Sequence, residues 1–310
     1  MPASFKPAWA KAAALFLLAW LFIAASAHAQ PLRVMTFNIR MITEADGPNH
    51  WEHRRDLVVA MLRAEQPDVI GTQELIKRQG DEIVAALPEY AWLGEGRRGG
   101  SDDEHMGIFY RKDRLRVLES GNFWLSDTPE IPGSITWGNI YPRMVTWARF
   151  ERLADGARFT LYNTHLPYRE ADEAARIRCV ELILARLNAL PENERVIITG
   201  DFNTSPESRV HAMLTESFKD AWIAAPRRTG PEGTFHDFKG LAERRIDWIL
   251  VRGLQPNWAR TITTHRDERY PSDHFPLLVE LDLPAAADSR ARLARGAKSE
   301  ATARPSRDIP

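Results

Sequence analysis

Residues 196–203 read VIITGDFN: an unbroken apolar and β-branched run, then a glycine, a carboxylate and a carboxamide. The pattern recurs. LRVMTFNI (32–39), DVIGTQE (68–74) and ARFTLYNTHL (157–166) are also short apolar runs that close on or near Asn, Glu or His. Runs of this length and composition are strands. A strand ending on a polar side chain delivers it to the rim of a sheet, where ligand sites form. The glycine lets the chain turn, and the rigid strand holds the carboxylate in place.

More strands are predicted in YAWLG, HMGIFYR, LRVLESGNFWL, MVTWARFER, ERRIDWILVRG (243–253), NWARTITTHR (257–266) and FPLLVELDL (275–283). Helical spacing of apolar residues predicts helices over 51–66, where Pro67 stops the run, over 77–87, and over 170–190. Strands and helices do not alternate strictly. The fold class is therefore α+β, with two sheets face to face and helices outside as the arrangement that buries every apolar surface. With 310 residues and 44% of them hydrophobic, the chain can build one large core. Nothing between residues 30 and 284 reads as a linker or repeat, so that span is one domain.

The ends differ in texture. Lys6 and Lys11 precede AAALFLLAWLFIAA (12–25), followed by SAHAQ. A basic start, a short apolar run and small residues at Ala27 and Ala29 predict a signal peptide over 1–29. An uncleaved anchor is the alternative, against which the run falls short of the roughly 20 residues a span needs. The expected location is periplasmic or extracellular, without stable membrane insertion and as a monomer. Residues 285–310 are rich in Ala and Arg with almost no large apolar residue, and predict a disordered tail. Cleavage removes two lysines and no acid, so the net charge of −1 becomes −3. That balance disfavours tight non-specific binding of long nucleic acid. The lone Cys179 sits in a helical pattern and has no internal disulfide partner.

Each rim residue has a plain structural alternative. Asn38 or the Asp201/Asn203 pair could serve turns, Glu74 could cap a helix, and His165 could be a satisfied core histidine. Asp247 lies among apolar residues in RRIDWIL and needs a partner, Arg244 or Arg245 being the near ones. Asp273 and His274 open the last predicted strand between two prolines. Trp124, Trp137, Tyr141 and Tyr168 are placed at the mouth, able to stack on a substrate or simply to pack.

Taken in order, TFNIR, DVIGTQE, YPRMVTW, NTHL, TGDFN, RRIDWIL and SDHFPL resemble the endonuclease/exonuclease/phosphatase (DNase I-like) superfamily across residues 33–278. The resemblance implies a four-layer α/β/β/α sandwich and hydrolysis of a phosphate ester by in-line attack of water. It implies a divalent cation, Mg²⁺ or Mn²⁺, held by Glu74 with Asn38 and Asp273 close by. Hard oxygen ligands suit those ions, and there is no cysteine cluster or H-E-x-x-H helix for zinc. It implies that Asp201 orients or deprotonates the water and that Asn203 donates to the phosphoryl group. His165 and His274 are then cationic or donating neighbours of a phosphate oxygen, Asp247 holds His274, and Arg143 binds phosphate. The expected partner is a phosphate ester of a small molecule, lipid head group or nucleic acid. A secreted nuclease is the alternative with the same chemistry, and a catalytically dead binding module the alternative of another class.

Overall fold

A computed structural model describes residues 31–286. The predicted signal peptide lies outside the described residues, as does the predicted tail beyond residue 286. Two mixed sheets make the centre. The first runs β10 (Arg228–Thr229), β12 (Gln255–Thr261), β13 (Leu277–Asp282), β1 (Leu32–Asn38), β2 (Val69–Gln73), β4 (Ile108–Arg111) and β3 (Tyr90–Leu93). The second runs β5 (Leu115–Trp124), β6 (Met144–Arg152), β7 (Arg158–His165), β8 (Val196–Asp201), β11 (Asp247–Arg252) and β9 (Lys219–Asp220). β1 pairs parallel with β2 and antiparallel with β13; β7 pairs parallel with β8, and β8 antiparallel with β11.

The layers follow from period-2 alternation. In β1, Leu32 and Val34 enter the core between the sheets, whereas Met35 and Phe37 face the other way. That outer face is covered by α1 (Trp51–Glu65) and α2 (Lys77–Ala86) through Val58, Met61, Leu62 and Ile83. In β8, Ile197 points between the sheets, while Val196 and Ile198 meet Cys179, Val180 and Ile183 of α3 (Glu173–Asn188). The α/β/β/α sandwich expected from the sequence is the observed fold.

Several boundaries move. α1 ends at Glu65, and Gln66 adopts a left-handed φ of 45° ahead of Pro67. The last strand begins at Leu277, so Asp273 and His274 lie in the loop before it rather than in the strand. Asp247 is the first residue of β11, not an interior one. The long helix predicted over 170–190 opens with a separate 3₁₀ turn at Glu170–Asp172.

The face between the sheets changes character along its length. Below, it is purely apolar. Midway it becomes polar: Asn163 of β7 donates to Thr72 O (2.7 Å) and Gly107 O (3.1 Å), and accepts from Gln73 Nε2 (2.7 Å) and Thr199 Oγ1 (3.0 Å). These bonds tie one sheet to the other. Gly71 makes room for them, since a Cβ there would meet Thr199 Oγ1 at 2.0 Å. Beyond this layer the rim carries ionisable groups.

Candidate active site

Register builds the rim. His165 stands opposite Asp201 in the β7–β8 pair, and Asp247 opposite Asp201 in the β8–β11 pair. All three share the parity of Ile197 and Ile249, so they point between the sheets. From the facing sheet, Asn38 ends β1 and Glu74 follows β2. Glu74 (φ 57°), Asn203 (φ 52°) and Arg40 (φ 60°) all adopt left-handed backbone. Strain of this kind at a cluster of polar residues is typical of functional sites.

The side chains interlock. Asn38 Nδ2 donates to Glu74 Oε1 (3.2 Å) and to Asp201 Oδ2 (3.0 Å), joining the two sheets at the rim. Asn203 N donates to Asp201 Oδ1 (2.9 Å), and Asn203 Nδ2 to Leu166 O (3.1 Å). His274 Nδ1 lies 2.8 Å from Asp247 Oδ2, and its Nε2 lies 3.9 Å from Asp201 Oδ2. His165 Nε2 lies 3.6 Å from the same oxygen. The partner of Asp247 is thus His274. Arg245 instead pairs with Asp220 at 2.7 Å.

Charge is distributed unevenly. Burial opposes the His274 cation, but Asp247, Asp273 and Asp201 outweigh it and raise the imidazole to about 10. His274 is therefore an imidazolium at neutral pH. Burial, with Arg143 adding to it, drives His165 well below its ordinary value and favours the neutral imidazole. Burial and then Asp247 raise Asp201 to about 7, against the opposing pull of His274 and the hydrogen bonds from Asn38 and Asn203. Arg143 is 4% exposed, donates to His165 O at 3.4 Å, and has no carboxylate within ion-pair distance among the described residues. Burial lowers it from its ordinary value.

Two places could hold a cation. Glu74 and Asp273 each lie 3.8 Å from the Arg40 guanidinium. Burial and then the nearby Glu74 disfavour ionisation of Asp273, although His274 and Arg40 oppose that. Two carboxylates crowded in this way fit a hard divalent cation. Asn38 fits less well as a ligand, because its Nδ2 serves the two acids and its Oδ1 accepts from Arg40 N at 3.0 Å. Asp201, Asp247 and His274 also offer ligand atoms within 4.8 Å of one another. In that second place His274 Nδ1 is engaged by Asp247 Oδ2 at 2.8 Å.

Glu74, Arg143, His165, Asp201, Asn203, Asp273 and His274 line one cleft of about 500 Å³, with Asn38 and Asp247 set behind them. Of the four aromatics placed at the mouth, only Tyr141 and Tyr168 line it. Trp124 is buried with Nε1 donating to Arg97 O (2.6 Å), and Trp137 donates to Asp127 (2.8 Å). The sequence reasoning missed Arg97, Glu104, Phe235 and Arg244 on the wall. Arg97 and Glu104 lie between hairpin partners β3 and β4, which are joined by residues 94–107. A hairpin loop so much longer than the usual two to five residues is itself a functional signal.

Two paired mixed sheets with helices outside, and a cluster of carboxylates, imidazoles and guanidinium groups at one rim, define an α/β/β/α sandwich with a charged cleft at one end. The chain belongs to the endonuclease/exonuclease/phosphatase family, whose profile matches residues 35–274. An endonuclease/exonuclease/phosphatase from Bacteroides vulgatus is 34% identical, covering 82% of this chain and 99% of its own, with a TM-score of 0.77. A mannosyl-6-phosphatase from Bacteroides thetaiotaomicron is 30% identical, covering 81% and 100%, with a TM-score of 0.76. An uncharacterized protein of Acanthamoeba polyphaga mimivirus is 29% identical over 178 residues; the match spans 54% of this chain and 65% of the viral protein.

Proposed function

We propose that the protein is a divalent-metal-dependent hydrolase of phosphate esters that acts by in-line attack of water. The observation that carries this reading is Arg143. A buried guanidinium without a carboxylate is costly unless an anion joins it. Arg143 opens on the same cleft as Asp201, His274 and the Glu74–Asp273 pair. A cleft that combines a buried guanidinium without an ion-paired carboxylate and a pair of neighbouring acids would suit a phosphate ester bound together with a divalent cation.

The residues divide the work. Glu74 and Asp273 would hold the cation, with Asn38 orienting Glu74. When bound, the cation supplies charge neutralisation at the phosphoryl and leaving oxygens. Asp201, raised to about 7, orients the attacking water and accepts its proton. The His274 imidazolium, fixed by Asp247, donates from Nε2 to a phosphoryl or leaving oxygen. Neutral His165, Asn203 and Arg143 bind the remaining oxygens. The basic start, short apolar run and small residues of 1–29 support export to the periplasm or beyond, and a monomer is part of the same proposal. The Bacteroides relative named as a mannosyl-6-phosphatase supports phosphatase chemistry on this scaffold.

The test is hydrolysis with Mg²⁺ or Mn²⁺ and with chelator. The substrates are p-nitrophenyl phosphate, bis-p-nitrophenyl phosphate, sugar phosphates, sphingomyelin, RNA and plasmid DNA. Chelator-sensitive release of phosphate or phosphodiester cleavage is expected. Preference for plasmid DNA or RNA would favour a nuclease. Phosphate binding without turnover on any substrate would leave only a binding module.

A further inference from the structure

Glu104 and Arg97 have no part in the chemistry above, yet they are built into the cleft wall. Glu104 is 5% exposed and Arg97 7%. The loop is stitched beside Glu74 by the Leu75–His105 bridge, with His105 N donating to Leu75 O at 2.7 Å. Arg97 N also donates to Glu104 O at 2.8 Å. The Arg97 guanidinium lies 4.5 Å from the Tyr141 ring centroid, and its Nε donates to Asp103 Oδ1 at 3.2 Å. Glu104 Oε2 is 2.9 Å from Arg97 Nη1 but accepts no aligned hydrogen bond, and it is buried. A buried carboxylate oxygen whose ion-pair neighbour is not aligned to donate keeps its accepting capacity for a ligand hydroxyl.

We propose that Glu104, Arg97 and Tyr141 form a hydroxyl-recognition subsite, so that the ester cleaved here is the phosphate of a sugar or similar polyol. Glu104 accepts from a hydroxyl, and Arg97 donates to the same or a neighbouring one. A hydroxyl is the small group that both donates and accepts. Tyr141 and Tyr168, 37% and 51% exposed, offer edges and faces for the C–H surface of a ring. One face of Tyr141 is already covered by Arg97, which leaves less for stacking a nucleobase. The cleft volume of about 500 Å³ accommodates one small ligand. The Arg97 guanidinium beside Glu104 also disfavours a second cation there. This inference rests on the hydrolase reading and adds its substrate class.

The experiment compares kcat/KM for mannose 6-phosphate and glucose 6-phosphate with that for p-nitrophenyl phosphate, whose leaving group carries no such hydroxyls. The proteins are wild type, Glu104→Ala and, as a change at the exposed rim, Tyr141→Ala. Loss of a charge-assisted hydrogen bond predicts a drop on the hexose phosphates about 10- to 100-fold greater than on p-nitrophenyl phosphate. Equal losses on both substrates, or a raised Mg²⁺ requirement in Glu104→Ala, would overturn the proposal, as would AMP being preferred to both hexose phosphates. Should no substrate turn over, the hydrolase reading fails, and calorimetry with mannose 6-phosphate still decides. Binding by wild type that Glu104→Ala weakens at least tenfold upholds the subsite, and absence of binding refutes it.

Discussion

Replacing Asp201 with asparagine should separate stability from turnover, and the sign of the stability change should depend on pH. The Asp201 carboxyl is 2% exposed; burial and then Asp247 raise it to about 7. In the unfolded chain it ionises near its ordinary value of about 4. Between those values the unfolded state ionises the group while the folded state keeps it protonated. The wild type therefore loses about 1.4 kcal/mol per pH unit across that window, and the loss is complete above about pH 7. Asparagine cannot ionise and escapes it. Against this, an amide at Oδ2 turns N–H toward Asn38 Nδ2 and forfeits the 3.0 Å hydrogen bond, at about 1–3 kcal/mol. The bond from Asn203 N to Oδ1 survives. The two effects nearly cancel at pH 5, and at pH 8 the variant should be the more stable by about 1–3 kcal/mol. Hydrolysis of p-nitrophenyl phosphate at pH 8 with Mg²⁺ should still fall at least about 100-fold. Urea unfolding followed by tryptophan fluorescence, with chelator present, measures the first quantity at pH 5, 6.5 and 8. A stability difference that does not change with pH, or one that turns against the variant as pH rises, would refute the electrostatic reasoning.

Mg²⁺ at 100 times its Kd should stabilise wild type by about 2.7 kcal/mol, and Glu74→Gln should lose most of that gain in a thermal-shift titration; a full gain in the variant would move the cation elsewhere. Arg143→Met should weaken competitive inhibition by inorganic phosphate at least about tenfold while raising Tm, because it removes a buried cation without a carboxylate partner. A lower Tm would mark Arg143 as structural. Cys179 is fully buried and burial pushes its thiol up to about 12, so Ellman's reagent at pH 8 should react only as fast as the protein unfolds. Stoichiometric reaction within the mixing time of native protein would contradict that burial.

Much of the frame was legible locally. In VIITGD the alternation alone sets Ile197, Thr199 and Asp201 on one face, and in LRVMTFN it does the same for Leu32, Val34 and Asn38. Helix ends were legible where proline or a run of apolar spacing stopped. Less could be read where an interaction spans distance. The residues around Asp247 offered only Arg244 and Arg245 as partners; the pairing with His274, 27 residues away, came from the family resemblance alone, and the 2.8 Å contact between them is present. Trp124 was expected at the mouth and is buried against Arg97. Glu104 sits in SDDEH, a stretch whose residues alone suggest only a solvated loop.

What the sequence determined by itself was which residues alternate, where strands end, and what chemistry stands at those ends, because a few neighbouring residues encode periodicity and turns. Only the tertiary structure decided which ends meet. Asn38 reaches both Glu74 and Asp201 because the β1–β2 pair lies face to face with the β7–β8–β11 ribbon. Arg143 is left without a carboxylate for the same reason. Burial and the approach of charges depend on how the sheets stack, and that is a property of the whole core.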